Sequence, residues 1–343
     1  MALKILQTII LDTIWAICAT DRQEILQMKN YWLIKYLNAD ITNFTSVKGI
    51  KRRQKIAGVL KKLLIIATKE KIVVENYPEL EENEPYIFVA THGFTNDIIA
   101  CLATIDRNAY LLMGTTEQVE HNPLMSFAWL NGFIYVNRTD DESRKSAVDK
   151  MEFVIRNGSS VILFPEGGFN NTENKLINRP FAGAYLLAKH TGAKVVPIAP
   201  FYEYGSNTIY MNYGEPMNLS MYDTKQEAIQ VLADVLSTMV WANIENHSTR
   251  LTRANLTGDI HMTFMEERRQ EYLKSSWTRD VWEEELTVYK DKEHPSPEDV
   301  RKSFANVKLT RLNYKCIAPI LTELERDQKY DFKEYMHQSW MKK

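Results

Sequence analysis

The sequence predicts an α/β fold: a central mixed sheet flanked by helices, with an N-terminal amphipathic helical segment and a C-terminal helical appendage. Between residues 86 and 246, short apolar runs alternate with longer segments of helical periodicity, which is typical of a sheet covered by helices. Before this region, Leu3, Leu6 and Ile10 recur at helical intervals. Beyond about Asn255 the composition becomes charged and aromatic. The chain therefore divides into residues 1–80, 81–250 and 251–343.

The elements of the central region follow from these patterns. Apolar runs predict strands at residues 86–90, 110–114, 133–137, 161–164, 195–199 and 208–212. Helical periodicity predicts helices at residues 96–105, 123–131, 140–156, 181–191 and 225 to about 246. The same periodicity predicts an N-terminal helix over residues 1 to about 38. The composition of residues 251–343 predicts a small helical appendage that packs on the central domain or binds a partner.

A basic segment between Lys48 and Lys62 is followed by the apolar run Leu63 to Ala67. Such a combination is typical of helices that lie on a membrane with anionic lipid. It is equally typical of a solvated basic face beside a core helix. No stretch reaches the roughly 20 apolar residues of a spanning helix. We therefore expect a protein at the cytoplasmic face of a membrane, peripheral or monotopic.

Composition excludes several classes of function. A fraction of 45% hydrophobic and 25% charged residues describes a globular protein with a core. The net charge of -2 argues against nucleic acid as a partner. Cys18, Cys101 and Cys316 are too scattered for a disulfide framework. The histidines show no metal-ligand spacing, so we expect no metal and no bound cofactor. The Gly-x-Ser-x-Gly pattern of serine hydrolases is absent.

The pair His92 and Asp97 carries the chemistry that the sequence suggests. Five positions along a helix rotate by about 500°, so the two side chains cannot share a helical face. A strand-to-helix turn can bring them together, because Gly93 permits unusual dihedral angles and a helix follows. The carboxylate would then orient the imidazole as a general base toward a substrate hydroxyl.

Three further segments give this pair its context: Gly132 to Arg138, Phe164 to Gly168 and Val195 to Pro200. In this order, the four segments resemble the sequence blocks of the glycerolipid acyltransferase family, whose members carry a His-x4-Asp motif. Within that family, the chain is similar to the 1-acylglycerol-3-phosphate acyltransferases. The resemblance covers about residues 84–217 and makes residues 81–250 the expected acyltransferase domain. It implies transfer of a fatty acyl group from a thioester donor, acyl-CoA or acyl carrier protein, to a lysophospholipid. Lysophosphatidic acid is the expected acceptor.

The resemblance also assigns roles to single residues. His92, Asp97 and Gly167 are the expected catalytic residues, with the Gly167 N–H offered to the thioester oxyanion. The expected substrate-binding residues are Arg138, Glu166, Gly168, Lys175 and Arg179. The family carries a basic residue after its Glu-Gly pair, where this chain continues Gly168-Phe169-Asn170, and we expect either Lys175 or Arg179 on the following loop to supply it.

Other interpretations stay open at the level of sequence. The acceptor could be a different lysolipid, or the chain could be a catalytically silent lipid-binding scaffold. A metal-dependent hydrolase that uses His92 and Asp97 as ligands lacks the further ligands such a site needs. The resemblance favours a membrane surface with anionic lipid as a partner, since members of the family take their substrates from a bilayer.

Overall fold

The computed structural model describes residues 46–68, 70–94, 96–114, 131–136, 141–168, 170, 175–203, 206–248, 254 and 257–274. All of them belong to one unit, residues 37–292. The predicted N-terminal helix over residues 1–38 lies outside the described residues. So do the predicted helix over residues 123–131, apart from Asn131, and most of the C-terminal appendage.

Within the described residues, seven strands form a single mixed sheet: the mixed sheet is as the sequence predicts, but it has one strand more than the six predicted. Their bounds are β1 Lys71–Asn76, β2 Ile87–Ala90, β3 Ala109–Met113, β4 Phe133–Tyr135, β5 Ser160–Leu163, β6 Val195–Glu203 and β7 Thr208–Tyr213. The strand order is β1-β7-β6-β2-β5-β3-β4, and only the β6–β7 pair is antiparallel. Strands β2 to β6 therefore end at the same edge of the sheet, where the loops that follow β2 and β5 meet.

The central strands are apolar because helices cover both faces of the sheet. All four residues of β2 and of β5 are buried, and Val89 of β2 is paired with Leu163 of β5. β6 continues this pairing on the other side, with Ala90 opposite Ile198. These strands are short apolar runs in the sequence, and their prediction is confirmed to within a few residues.

Strand β1 is a difference from the sequence prediction, which assigned no strand before residue 86. It lies at the edge of the sheet, is largely exposed and contains only three consecutive apolar residues between charged ones. Its partner β7 lies far along the chain and is paired with it from Lys71 opposite Thr208. Because neither burial nor a neighbouring hairpin marks β1, no local pattern indicates it. The sheet thus begins N-terminal to residue 81.

The helices are α1 Val47–Ala67, α2 Asp97–Thr104, α3 Asp141–Arg156, α4 Gly183–Thr191, α5 Lys225–His247 and α6 Gly258–Lys274. α1 contains the basic segment and buries one side, formed by Ile50, Ala57, Leu60 and Leu64. Its opposite side keeps Val59 and Ile66 exposed beside its lysines and arginines. Within the described residues, no helix has the length and apolar character needed to cross a bilayer.

Candidate active site

The turn between β2 and α2 brings His92 and Asp97 together as the sequence predicts. The Thr91 N–H donates to the Ile198 carbonyl and extends the β2–β6 ladder by one residue, after which the chain leaves the sheet. α2 begins at Asp97 itself. The His92 Nδ1 and Asp97 Oδ2 atoms lie 2.8 Å apart, with Asp97 fully buried and His92 7% exposed.

The Asp97 carboxylate also holds the turn that carries His92. Its Oδ2 atom accepts from the N–H groups of Gly93, at 2.9 Å, and Phe94, at 3.2 Å. The carboxylate sits at the N-terminus of α2, where the helix dipole favours negative charge. Asn96, which could have capped this helix, instead donates its side-chain amide to Glu70 Oε1 at 2.5 Å. One buried oxygen therefore binds both the imidazole and the backbone of the turn.

This geometry defines which ring nitrogen of His92 can act as a base. An ionised carboxylate only accepts hydrogen bonds, so Nδ1 must carry the proton that it donates to Asp97. Nε2 then carries the lone pair. The imidazole packs against the Phe164 ring, with 4.6 Å between the ring centroids, which restricts its rotation. The arrangement has the geometry of the base and orienting carboxylate of a catalytic triad.

Glu166, on the loop after β5, joins the turn to a second loop. Its Oε1 atom accepts from the His92 N–H at 3.1 Å, and its Oε2 atom accepts from the Asn178 N–H at 2.6 Å. The side chain is 8% exposed, and this burial raises its pKa to about 7, against the smaller opposing effect of the two N–H donors. The sequence predicts that Glu166 binds the acceptor. Its observed contacts are with the protein main chain.

The two glycines of this loop differ in how their N–H groups are used. Gly167 adopts a φ of 76°, and its N–H donates to the Phe164 carbonyl at 3.0 Å. It therefore closes a turn and is not presented to an oxyanion in this conformation. Among the described residues, none accepts from the Gly168 N–H, and a Cβ added to Gly168 would meet no atom within 4 Å. Of the two glycine N–H groups in this loop, only that of Gly168 is left without an acceptor among the described residues.

The remaining predicted residues lie around this edge or outside the described part. Lys175 and Arg179 are exposed on the loop that carries Asn178, so the fold places both near Glu166. Arg138 lies outside the described residues. Cys101, on α2, is fully buried, and burial raises its thiol pKa, which makes it unsuited to nucleophilic attack. Within the described residues, no group of three His, Cys, Asp or Glu could hold a metal ion.

Sequence reasoning missed the main-chain partners of the site. The Asn170 N–H donates to the His92 carbonyl at 3.0 Å, and the Asn170 side-chain amide donates to the Lys175 carbonyl at 2.8 Å. The Asn178 N–H binds Glu166, as described above. These contacts use backbone groups or a common loop residue, so no residue type in the sequence marks them in advance.

Comparison with known proteins gives a family and a distant structural likeness. Residues 71–200 match the family model described as Acyltransferase. The crystal structure of the 1-acyl-sn-glycerophosphate (LPA) acyltransferase PlsC from Thermotoga maritima is similar to this chain, with 18% sequence identity and a TM-score of 0.46, over 64% of this chain and 95% of that chain. No significant match to a curated protein was found. At this identity and TM-score, the structural likeness assigns neither donor nor acceptor.

The region that the family model matches begins with β1 and ends within β6. It contains the His92–Asp97 turn and the loop of Glu166, Gly167 and Gly168. The resemblance seen in the sequence is confirmed by this match. Residues 71–200 are therefore a domain of the acyltransferase family, and this match supports an O-acyltransferase activity.

Proposed function

We propose that this protein transfers a fatty acyl group from a thioester donor, acyl-CoA or acyl carrier protein, to the free hydroxyl of lysophosphatidic acid, giving phosphatidic acid. The single observation that supports this most is the contact between His92 Nδ1 and the buried Asp97 carboxylate. It prepares a base for a hydroxyl substrate, which acyl transfer to a lysolipid requires.

The reaction follows from the orientation of His92. Its Nε2 atom takes the proton of the acceptor hydroxyl while that oxygen attacks the thioester carbonyl carbon. The new C–O bond forms, the C–S bond breaks, and the imidazolium returns the proton to the departing sulfur. Asp97 stabilises the imidazolium that forms in between, because its Oδ2 atom remains bonded to Nδ1–H.

The choice of a phosphorylated acceptor is supported by two basic residues on the loop joined to Glu166 and by a third that the family resemblance assigns. Arg138 matches the acceptor-phosphate arginine of the family resemblance, and Lys175 and Arg179 lie on the loop joined to Glu166. Guanidinium and ammonium groups suit a phosphate through charge-assisted hydrogen bonds. A different lysolipid as acceptor is the outcome that would count against this part of the proposal.

Substrates of this kind reside in bilayers, and we assign the membrane contact to α1 at the cytoplasmic face. Its outer side combines apolar residues, with Val59 61% and Ile66 79% exposed, and the exposed basic residues Lys51, Arg52 and Lys55. Helices of this composition bind interfaces with anionic lipid. The protein would then be peripheral or monotopic.

Acyl transfer by the wild-type chain and its loss in His92→Ala test the proposed reaction. Incubation with an acyl thioester and a mixture of lysolipids should give the diacyl product by mass spectrometry, and His92→Ala should lower the rate by about 10² to 10⁴, as expected for loss of a general base. His190→Ala is the matched control, since His190 bonds to Glu152 on α3, away from this turn. Turnover by folded His92→Ala at the wild-type rate would contradict the mechanism.

The double variant Lys175→Ala with Arg179→Ala tests the assignment of the acceptor. Loss of a charge-assisted hydrogen bond costs about 1.5 to 3 kcal/mol, so the KM for lysophosphatidic acid should rise about tenfold to a hundredfold. The KM for an uncharged lysolipid and for the thioester should change little. Lys194→Ala with Lys225→Ala removes two other exposed lysines as a control. A wild-type preference for an uncharged acceptor would overturn this acceptor while the acyltransferase assignment stands.

Vesicle binding tests the role of α1. Each basic residue near an anionic surface contributes about 1 kcal/mol, so Lys51→Glu with Lys55→Glu should weaken binding to vesicles with anionic lipid at least tenfold. Binding should also weaken with added salt. Lys194→Glu with Lys225→Glu is the control for a change in total charge. Equal binding of both double variants would exclude α1 as the membrane contact.

A further inference from the structure

Helix α6 lies beyond the region matched by the acyltransferase family, yet it packs near the active-site edge. Its Phe264 side chain is 9% exposed and forms an apolar cluster with Phe201 of β6 and Ile244 of α5, against which Met265 also packs. The Arg268 guanidinium lies 4.4 Å from the centroid of the Phe201 ring. Phe201 stands near the end of β6, the edge where the site loops lie.

The same cluster contacts a loop of the site. Leu176 packs against it from the loop after the Glu166 segment. Two residues further on, the Asn178 N–H donates to Glu166 Oε2 at 2.6 Å. The Cα atoms of Leu176 and Asn178, two residues apart, can lie at most about 7 Å from each other. The apolar cluster to which α6 contributes Phe264 and the hydrogen bond of Asn178 therefore restrain the same short backbone segment.

Glu166 transmits that restraint to the base. Its second oxygen accepts from the His92 N–H at 3.1 Å, while the His92 carbonyl accepts from Asn170 N–H at 3.0 Å. Asn170 is itself tied to the Lys175 carbonyl. Both main-chain polar groups of His92 are thus bonded to the segment of residues 166–178, whose C-terminal part rests on the α6 cluster.

We propose that helix α6 is a positioning element of the active site, which holds residues 175–178 against Glu166 and thereby fixes His92 at the distance its substrate requires. Glu166 is then a positioning residue that acts through the main chain of His92, and not a ligand of the acceptor. This inference rests on the proposed base role of His92.

Two features favour this role over simple coverage of the sheet. The path from α6 to the base has only three steps: the contact of Leu176 with the cluster, the bond of Asn178 to Glu166, and the bond of Glu166 to His92. The two bonds to Glu166 join backbone N–H groups to a carboxylate that is 8% exposed, where a lost partner cannot be replaced readily by water. Displacement of a catalytic group by about 1 Å can cost up to a hundredfold in rate.

The test uses the full chain with Phe264→Ala, and Ile260→Ala as the control on the same helix, since Ile260 is 40% exposed. Phe264→Ala should lower kcat about tenfold to a hundredfold with little change in either KM. Leu176→Ala, which removes the contact from the loop side, should do the same and serves if Phe264→Ala does not fold. Wild-type kcat in a folded Phe264→Ala or Leu176→Ala variant would overturn the proposal.

A double-mutant cycle with Glu166→Gln separates this pathway from general destabilisation. The side-chain amide that Glu166→Gln introduces can accept from one of the two N–H donors but presents its own N–H groups to the other, so the link is broken. If α6 acts through Glu166, adding Phe264→Ala to Glu166→Gln should lower kcat no further. Multiplication of the two losses would contradict the pathway, and so would a rise in the acceptor KM as the main effect of Glu166→Gln.

Hydrogen exchange gives a readout that does not depend on acyl transfer. Amides of residues 91–94 and 175–178 should exchange faster in Phe264→Ala than in wild type, and at the wild-type rate in Ile260→Ala. Unchanged exchange at residues 91–94 in Phe264→Ala would overturn the inference even if the enzyme were active. Faster exchange there in a chain without acyl transfer would instead leave the coupling established and contradict the proposed function alone.

Discussion

The buried carboxylate of Asp97 is the interaction on which the site depends. A single oxygen accepts from the His92 imidazole and from the backbone of Gly93 and Phe94, so the group that orients the base also holds the turn that presents it. Burial makes each of these bonds strong and makes an uncompensated charge costly. Removal of this carboxylate would therefore alter the tautomer of His92 and the conformation of the turn together.

The parallel part of the sheet brings the second component to the same place. β2 and β5 are adjacent and end in register, so the loop with Glu166 meets the turn with His92 without any long-range adjustment. Strand pairing thus brings together two residues that are 74 positions apart in the sequence. Helices α1 and α6 lie outside the region that the family model matches, and each packs on the described domain through buried apolar residues.

The sequence predicts the strands and helices whose pattern follows from burial, and the site residues that are recognised by their chemical type. The apolar runs of β2 and β5 and the helical periodicity of α3 and α5 follow from their packing, and His92 and Asp97 follow from their chemistry. Three features could not be predicted. β1 is an exposed edge strand, Gly167 uses its N–H to close a turn, and Glu166 binds backbone groups. Each depends on hydrogen bonds with partners that only the folded chain supplies.

The tautomer of the His92 imidazole shows whether Asp97 prepares its Nε2 atom to act as a base. In protein labelled with nitrogen-15 at histidine, the signals of His92 can be assigned by their loss in His92→Ala. At a pH where the ring is neutral, the account predicts a protonated Nδ1 and an unprotonated Nε2, because Asp97 accepts from Nδ1–H. Asp97→Asn should abolish this preference, as its amide can donate to the ring instead. A neutral His92 with its proton on Nε2 would contradict the account, since no lone pair would then be available to the acceptor hydroxyl.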